Sequence, residues 1–141
     1  MSTLQVEVVS NEEQIFSGEA SFIVVPTQSG ELGIYPRHEP IMSLVRPGAL
    51  RLTVPGQNEE VLVAVSGGIL EVSPDKLTVL ADVAIRSEEM DKERAEEAKK
   101  AAEASINQAQ DAISLAKAEI ALAAAIAQLK TLDYLRAHKK L

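Results

Sequence analysis

Every glycine and every proline of this 141-residue chain lies before residue 75, and neither occurs after Arg86. Glycine supplies backbone freedom and proline removes a donor, so both punctuate turns and are costly inside helices. Beyond Arg86 the chain turns to Ala, Glu, Lys and Leu, which lose little entropy in a helix. One sequence therefore carries two grammars: a β-rich segment over residues 1–86 and a helical segment over 87–141. The expected class is α+β in two parts, an antiparallel β-sandwich followed by an antiparallel helical hairpin.

In the first segment, short apolar or alternating runs predict strands at 4–9, 21–25, 42–45, 50–54, 60–65, 69–72 and 77–80. Leu4, Val6 and Val8 alternate with Gln5 and Glu7, the period of a half-buried strand. Turn chemistry stands at Pro55-Gly56 and at Pro74-Asp75. Short strands at such spacing argue for two packed sheets.

The second segment opens on Ser87, Glu88, Glu89 and Asp91, which reads as an N-cap followed by dipole-compensating acids. A first helix is expected to run to about Ile106, with a turn over 107–111 and Asp111 capping a second helix. On that helix Leu115, Ala118, Leu122, Ala125, Leu129 and Leu132 recur at spacings of three and four, the seam of a hairpin. Ala95, Ala98, Ala102 and Ile106 form the expected partner face. Alanine contacts bury little area, so this seam coheres weakly and the hairpin must lean on something else or exchange partners.

Composition excludes several functions. The formal net charge of −7 and the lack of a Lys/Arg-rich run remove the basis for nucleic-acid binding. There is no cysteine, so thiol catalysis and thiolate metal sites are absent. No uninterrupted apolar run reaches the roughly 20 residues that span a bilayer, and no signal peptide is evident at the N-terminus, so no direct bilayer insertion is expected. Aromatic residues make up only 3%, which argues against stacking platforms for bases or sugars. Basic groups gather late, at Lys130, Arg136, Lys139 and Lys140, which suits either the C-terminal helix dipole or an acidic partner surface.

Catalytic chemistry finds no support. Glu31, His38 and Glu39 share one Gly/Pro-rich stretch but lack an established ligand spacing, so no metal and no hydrolase site is expected. Ser66-Gly67-Gly68 lacks the nucleophile-elbow pattern and reads instead as a bulge or tight turn. No phosphate loop or dinucleotide fingerprint is present.

Several strings, in order along the chain, resemble the epsilon subunit family of bacterial F-type ATP synthases. They are Val8-Val9-Ser10, Phe16-Ser17-Gly18, the GELGIYPRHEP run over 30–40, and Pro47-Gly48. SGGILEV over 66–72, Val79-Leu80-Ala81-Asp82 and Ala124-Ala125-Ile126-Ala127-Gln128-Leu129 follow. The resemblance implies a non-catalytic central-stalk subunit of a proton-translocating rotary enzyme at the cytoplasmic face of the bacterial inner membrane. It implies a sandwich docked on the gamma subunit and on the polar loops of the c-ring. Glu31, Leu32, Gly33, Tyr35 and His38 are then interface candidates on a protruding loop. It also implies a mobile hairpin that, when extended towards the alpha and beta subunits, inhibits ATP hydrolysis; Lys130, Arg136, Lys139 and Lys140 would form its basic tip. No cofactor is implied. Met90-Asp91-Lys92-Glu93-Arg94-Ala95 resembles a motif through which some relatives bind ATP, which makes Asp91, Arg94 and Ala95 candidate residues for a regulatory nucleotide. An ordinary solvated Asp–Arg helix pair accounts for the same residues.

Overall fold

The computed structural model describes residues 2–11 and 13–138. Ten strands come first: β1 (Leu4–Ser10), β2 (Glu13–Ala20), β3 (Phe22–Thr27), β4 (Gly30–Ile34), β5 (Ile41–Val45), β6 (Gly48–Thr53), β7 (Val61–Val65), β8 (Gly68–Val72), β9 (Lys76–Ala81) and β10 (Ala84–Arg86). Two helices follow, α1 (Lys92–Gln108) and α2 (Ala112–His138).

The strands pair in the order β10-β7-β6-β3-β5-β8-β9-β1-β2, with β4 added on β3. At the middle of that order β3 and β5 share a single paired position, Thr27 with Val45. There the sheet folds over into two layers. Their inward faces interdigitate in one cluster, in which Val25, Leu50, Leu52, Val63 and Val65 of one layer meet Val6, Val8, Leu70, Leu77 and Val79 of the other. On the far side Arg86 lays its guanidinium 5.6 Å from the centre of the Phe16 ring, drawing β10 and β2 together. One departure from the expected antiparallel pattern is the β1–β9 pair, which is parallel.

Three strands were not expected, each for a physical reason. Strand β2 buries only Phe16 and Ala20, so no alternating apolar run announces it. Strand β10 is three residues long. Strand β4 carries Gly30 and Gly33, which read as loop residues. Gly33 is instead paired with Val24, and a Cβ there would press against the Phe22 ring, whose Cζ would lie 2.9 Å away. The protruding loop expected over 30–40 is thus reduced to residues 35–40.

The junction Ser66-Gly67 carries the chain from one layer to the other, between β7 and β8. Gly67 and Gly68 hold φ of 128° and 147°, and a Cβ on Gly68 would collide with the Leu80 carbonyl. The Ser66 hydroxyl is used structurally, accepting the Val83 N–H at 2.9 Å.

In the helical part, Ser87 belongs to a short 3-10 turn rather than capping a helix. Asp91 caps α1 instead, its carboxylate accepting the Arg94 N–H at 3.0 Å. The α1–α2 turn lies at 109–111, and Asp111 caps α2 as expected, accepting the Ser114 N–H at 2.7 Å. That hydrogen bond, first among the causes, holds the Asp111 carboxyl below its ordinary range.

Helix α1 packs on α2, and α2 packs in turn on β6 and β7. On α1 the buried positions are Ala95 and Ala102, with Lys99 and Ile106 half-buried between and beyond them; Ala98 faces solvent. On α2 the predicted seam buries Ala118 and Ala125, while Leu122, Leu129 and Leu132 are half-buried and Leu115 is exposed. Ala127 and Thr131 are fully buried, and helical geometry puts them on the side opposite that seam. The surface α2 covers is the outer face of β6–β7, where Ala49 pairs with Ala64 and Arg51 with Leu62. No helical residue belongs to the sandwich core cluster among the described residues. The hairpin lies on the sandwich without being part of it.

Candidate docking surfaces

Strands β5, β8, β9 and β1 turn an unusual face outward. Leu44 pairs with Ile69, Ile69 with Leu80, and Leu80 with Val9, so four apolar side chains form one row across four strands. Leu44, Ile69 and Leu80 are 51%, 41% and 50% exposed. The next row along the same face is mixed: Met42, Glu71, Thr78 and Glu7 in register. Glu7 accepts hydrogen bonds from Gln5, Ser17 and Gln14, and these, Gln5 first, hold its carboxyl below the usual range. An apolar strip beside a polar rim has the anatomy of a protein interface. Sequence reading passed over this row, although the signal was present. Strands β5 and β8 carry large apolar side chains at successive positions, Met42 and Leu44 against Ile41 and Val45, and Ile69 against Leu70. A strand apolar on both sides has something to cover each of them.

The predicted interface residues at 31–38 have different surroundings. Glu31 sits on β4 opposite Pro26, on the outer face, with Arg51 Nη2 at 3.8 Å. Leu32 turns inward and packs against the core. Gly33 lies beneath Phe22, and Tyr35, 64% exposed, stacks on Phe22 with ring centres 4.5 Å apart. His38 donates from Nδ1 to the Glu39 carbonyl at 2.8 Å. The loop that carries it is pinned where Arg37, at φ 65°, donates its N–H to the Pro74 carbonyl at 2.7 Å. Residues 35–40 therefore present an ordered tip bearing Tyr35 and His38, while Glu31 faces Arg51.

The third surface joins the hairpin to the sandwich. Arg51 of β6 donates from Nη1 to the Tyr134 hydroxyl at 2.8 Å and lies 5.1 Å from the centre of that ring. Tyr134 donates to Glu60 Oε1 at 2.7 Å. Burial first, and then the bond to Glu60, push the Tyr134 phenol above its ordinary range, with Arg51 pulling the other way. Beside these groups is a cleft of about 310 Å³, lined by Glu31, Arg46, Arg51, Lys130 and Tyr134 among others. Lys130 thus faces the sandwich. Arg136, six residues on, is exposed and pairs with Asp133 at 3.3 Å. Lys130 and Arg136 thus have different surroundings on α2, and the other predicted members of the basic tip, Lys139 and Lys140, lie outside the described residues.

Of the candidate nucleotide residues, Asp91 spends its carboxylate on the α1 cap, and Ala95 is buried. Among the described residues no group of three His, Asp or Glu side chains is placed to hold a metal. Helix α2 contains a span, Ala112–Ala137, long and apolar enough by length and composition to cross a membrane, although Lys117 and Glu119 interrupt its apolar run. Part of it is covered by α1 and the sheet, while Ile113, Leu115 and Ile120 are exposed.

A sandwich with an exposed apolar row, and a two-helix clasp resting on its other layer, have the form of a docking protein. Residues 3–87 match the ATP synthase delta/epsilon chain beta-sandwich domain, and residues 88–139 match the long alpha-helix domain of the same family. The ATP synthase epsilon chain of Neisseria meningitidis serogroup C / serotype 2a is 79% identical over 140 residues, covering 99% of this chain and 100% of that one. The Neisseria gonorrhoeae epsilon chain matches at the same identity and coverage. A chain of the Euglena gracilis mitochondrial ATP synthase (OSCP/F1/c-ring, rotational state 1) has the same fold, with TM-score 0.69 at 24% identity, covering 95% of this chain and 81% of that one. The chain belongs to the ATP synthase delta/epsilon chain family, as an epsilon-type subunit.

Proposed function

We propose that the sandwich seats the gamma subunit on the Leu44–Ile69–Leu80 row and meets the c-ring loops with its 35–40 tip. The hairpin serves as a brake on ATP hydrolysis. The complex is membrane-associated; the chain works on the cytoplasmic face of the bacterial inner membrane. The observation that carries this reading is the division of labour between the two layers. One outer face is covered by the chain's own α2, and the other displays an apolar row with no covering element among the described residues. A row of that kind in a subunit of a larger machine is an interface.

The hairpin's attachment suits an element that leaves. Its α1–α2 seam is largely alanine, at Ala95, Ala102, Ala118 and Ala125, and on the side towards the sheet the fully buried residues of α2 are Ala127 and Thr131. A buried methylene is worth about 0.8 kcal/mol, so such a seam gives a small free-energy gap between docked and extended positions. Extended, it reaches the alpha and beta subunits and opposes rotation in the hydrolysis direction. Deleting residues 130–141 is expected to raise ATP hydrolysis by the assembled enzyme several-fold while leaving assembly intact. Unchanged hydrolysis in that variant would rule out the braking role. ATP acting as a regulatory ligand at Asp91, Arg94 and Ala95 is the weaker reading, because two of the three are engaged in the helix itself.

A further inference from the structure

Four residues from four parts of the chain meet at one place. Glu31 comes from β4, Arg51 from β6, Glu60 from the residue before β7, and Tyr134 from α2. Only Tyr134 belongs to the hairpin. Its hydroxyl accepts from Arg51 at 2.8 Å and donates to Glu60 at 2.7 Å, so both functions of one phenol are spent on the sandwich. Arg51 in turn is steadied by Glu31 at 3.8 Å and lies over the face of the same ring. Both of these hydrogen bonds join α2 to the sandwich, beside the fully buried Ala127 and Thr131.

We propose that Tyr134 is the latch that sets how much of the time the hairpin is docked, with Arg51 and Glu60 as its keeper on the sandwich. Three features support this. Both hydrogen bonds involve a charged partner, the kind that contributes most. They lie near the C-terminal end of α2, so they restrain the part of the helix farthest from the α1–α2 turn. Just inside them Ala127 and Thr131 are fully buried, and Thr131 returns its hydroxyl to the Ala127 carbonyl at 2.7 Å. Thr131 therefore makes no polar demand on the sheet, and release of α2 costs the polar contacts of Tyr134 together with a patch of small side chains. The latch follows from the contacts alone; its effect on turnover rests on the braking role proposed above.

The test is Tyr134→Phe in the full chain, which keeps the ring over Arg51 and removes only the hydroxyl. Amide hydrogen exchange in α2 is expected to quicken about tenfold, with β1, β8 and β9 unchanged. Combining it with Arg51→Met is expected to add less than the separate effects sum to, because both break one network. Unchanged exchange in α2, or full additivity, would overturn the latch. In the assembled enzyme Tyr134→Phe is expected to lower ATP hydrolysis by releasing the brake towards its extended position. Faster exchange in α2 with hydrolysis unmoved would support the latch and overturn the braking role.

Discussion

Ile69→Lys is expected to abolish stable association with the gamma subunit while leaving the isolated chain folded. Ile69 stands in the middle of the exposed row, flanked in register by Leu44 and Leu80. In the free chain it is already 41% exposed, and a lysine stem can lie along the sheet with its ammonium in water. The isolated protein should therefore melt within a few degrees of the parent. Against gamma the same ammonium would be buried without a partner. An uncompensated buried charge costs about 3–5 kcal/mol, which weakens association roughly 100-fold or more. Binding of the purified subunit to gamma, measured beside a melting curve, separates the two effects. Undiminished binding would move the gamma interface elsewhere.

Gly68→Ala is expected to do the reverse, damaging the fold itself. Gly68 is paired on both sides, with Val45 and Ala81, at a φ of 147° that L-residues rarely adopt. Its missing Cβ leaves room for the Leu80 carbonyl and for the Ala81 Cα, which would be 2.9 Å from an alanine Cβ. Neither can yield without breaking the β8–β9 ladder. A loss of about 3 kcal/mol or more follows, a drop of roughly 12 °C or more in Tm for a domain of this size. Gly56 is the control. Its φ of 85° is also left-handed, but an added Cβ there meets nothing. Gly56→Ala should cost only the backbone penalty, about 1–2 kcal/mol. Equal effects at the two sites would contradict this account of the crossover.

The two-part division was legible because glycine and proline carry positional information about turns, and their disappearance is visible without any contact. The core was legible where it alternates, as at Leu4, Val6 and Val8. Partner faces were harder. Residues 61–65, apolar at every position, held the signal that β7 is buried on both sides, with Leu62 and Ala64 outside the core cluster and under α2. That pattern says a strand is covered but not by what. Gly33 was misread for a related reason: close approach of the Phe22 ring is a tertiary requirement that looks locally like a turn. The keeper of Tyr134 was invisible, because Arg51, Glu60 and Tyr134 share no spacing in sequence. Lys130 and Arg136 looked like one basic tip when counted by composition, yet six residues of helix turn them to different sides.

The central claim is that the hairpin is a separable clasp resting on an independently stable sandwich. Native-state hydrogen exchange on the full chain measures it directly. The account predicts that amides of α1 and α2 exchange through openings of much lower free energy than those of β1, β7 and β9, with the two helices opening together. Equal protection across helices and strands, lost in one global transition, would contradict it.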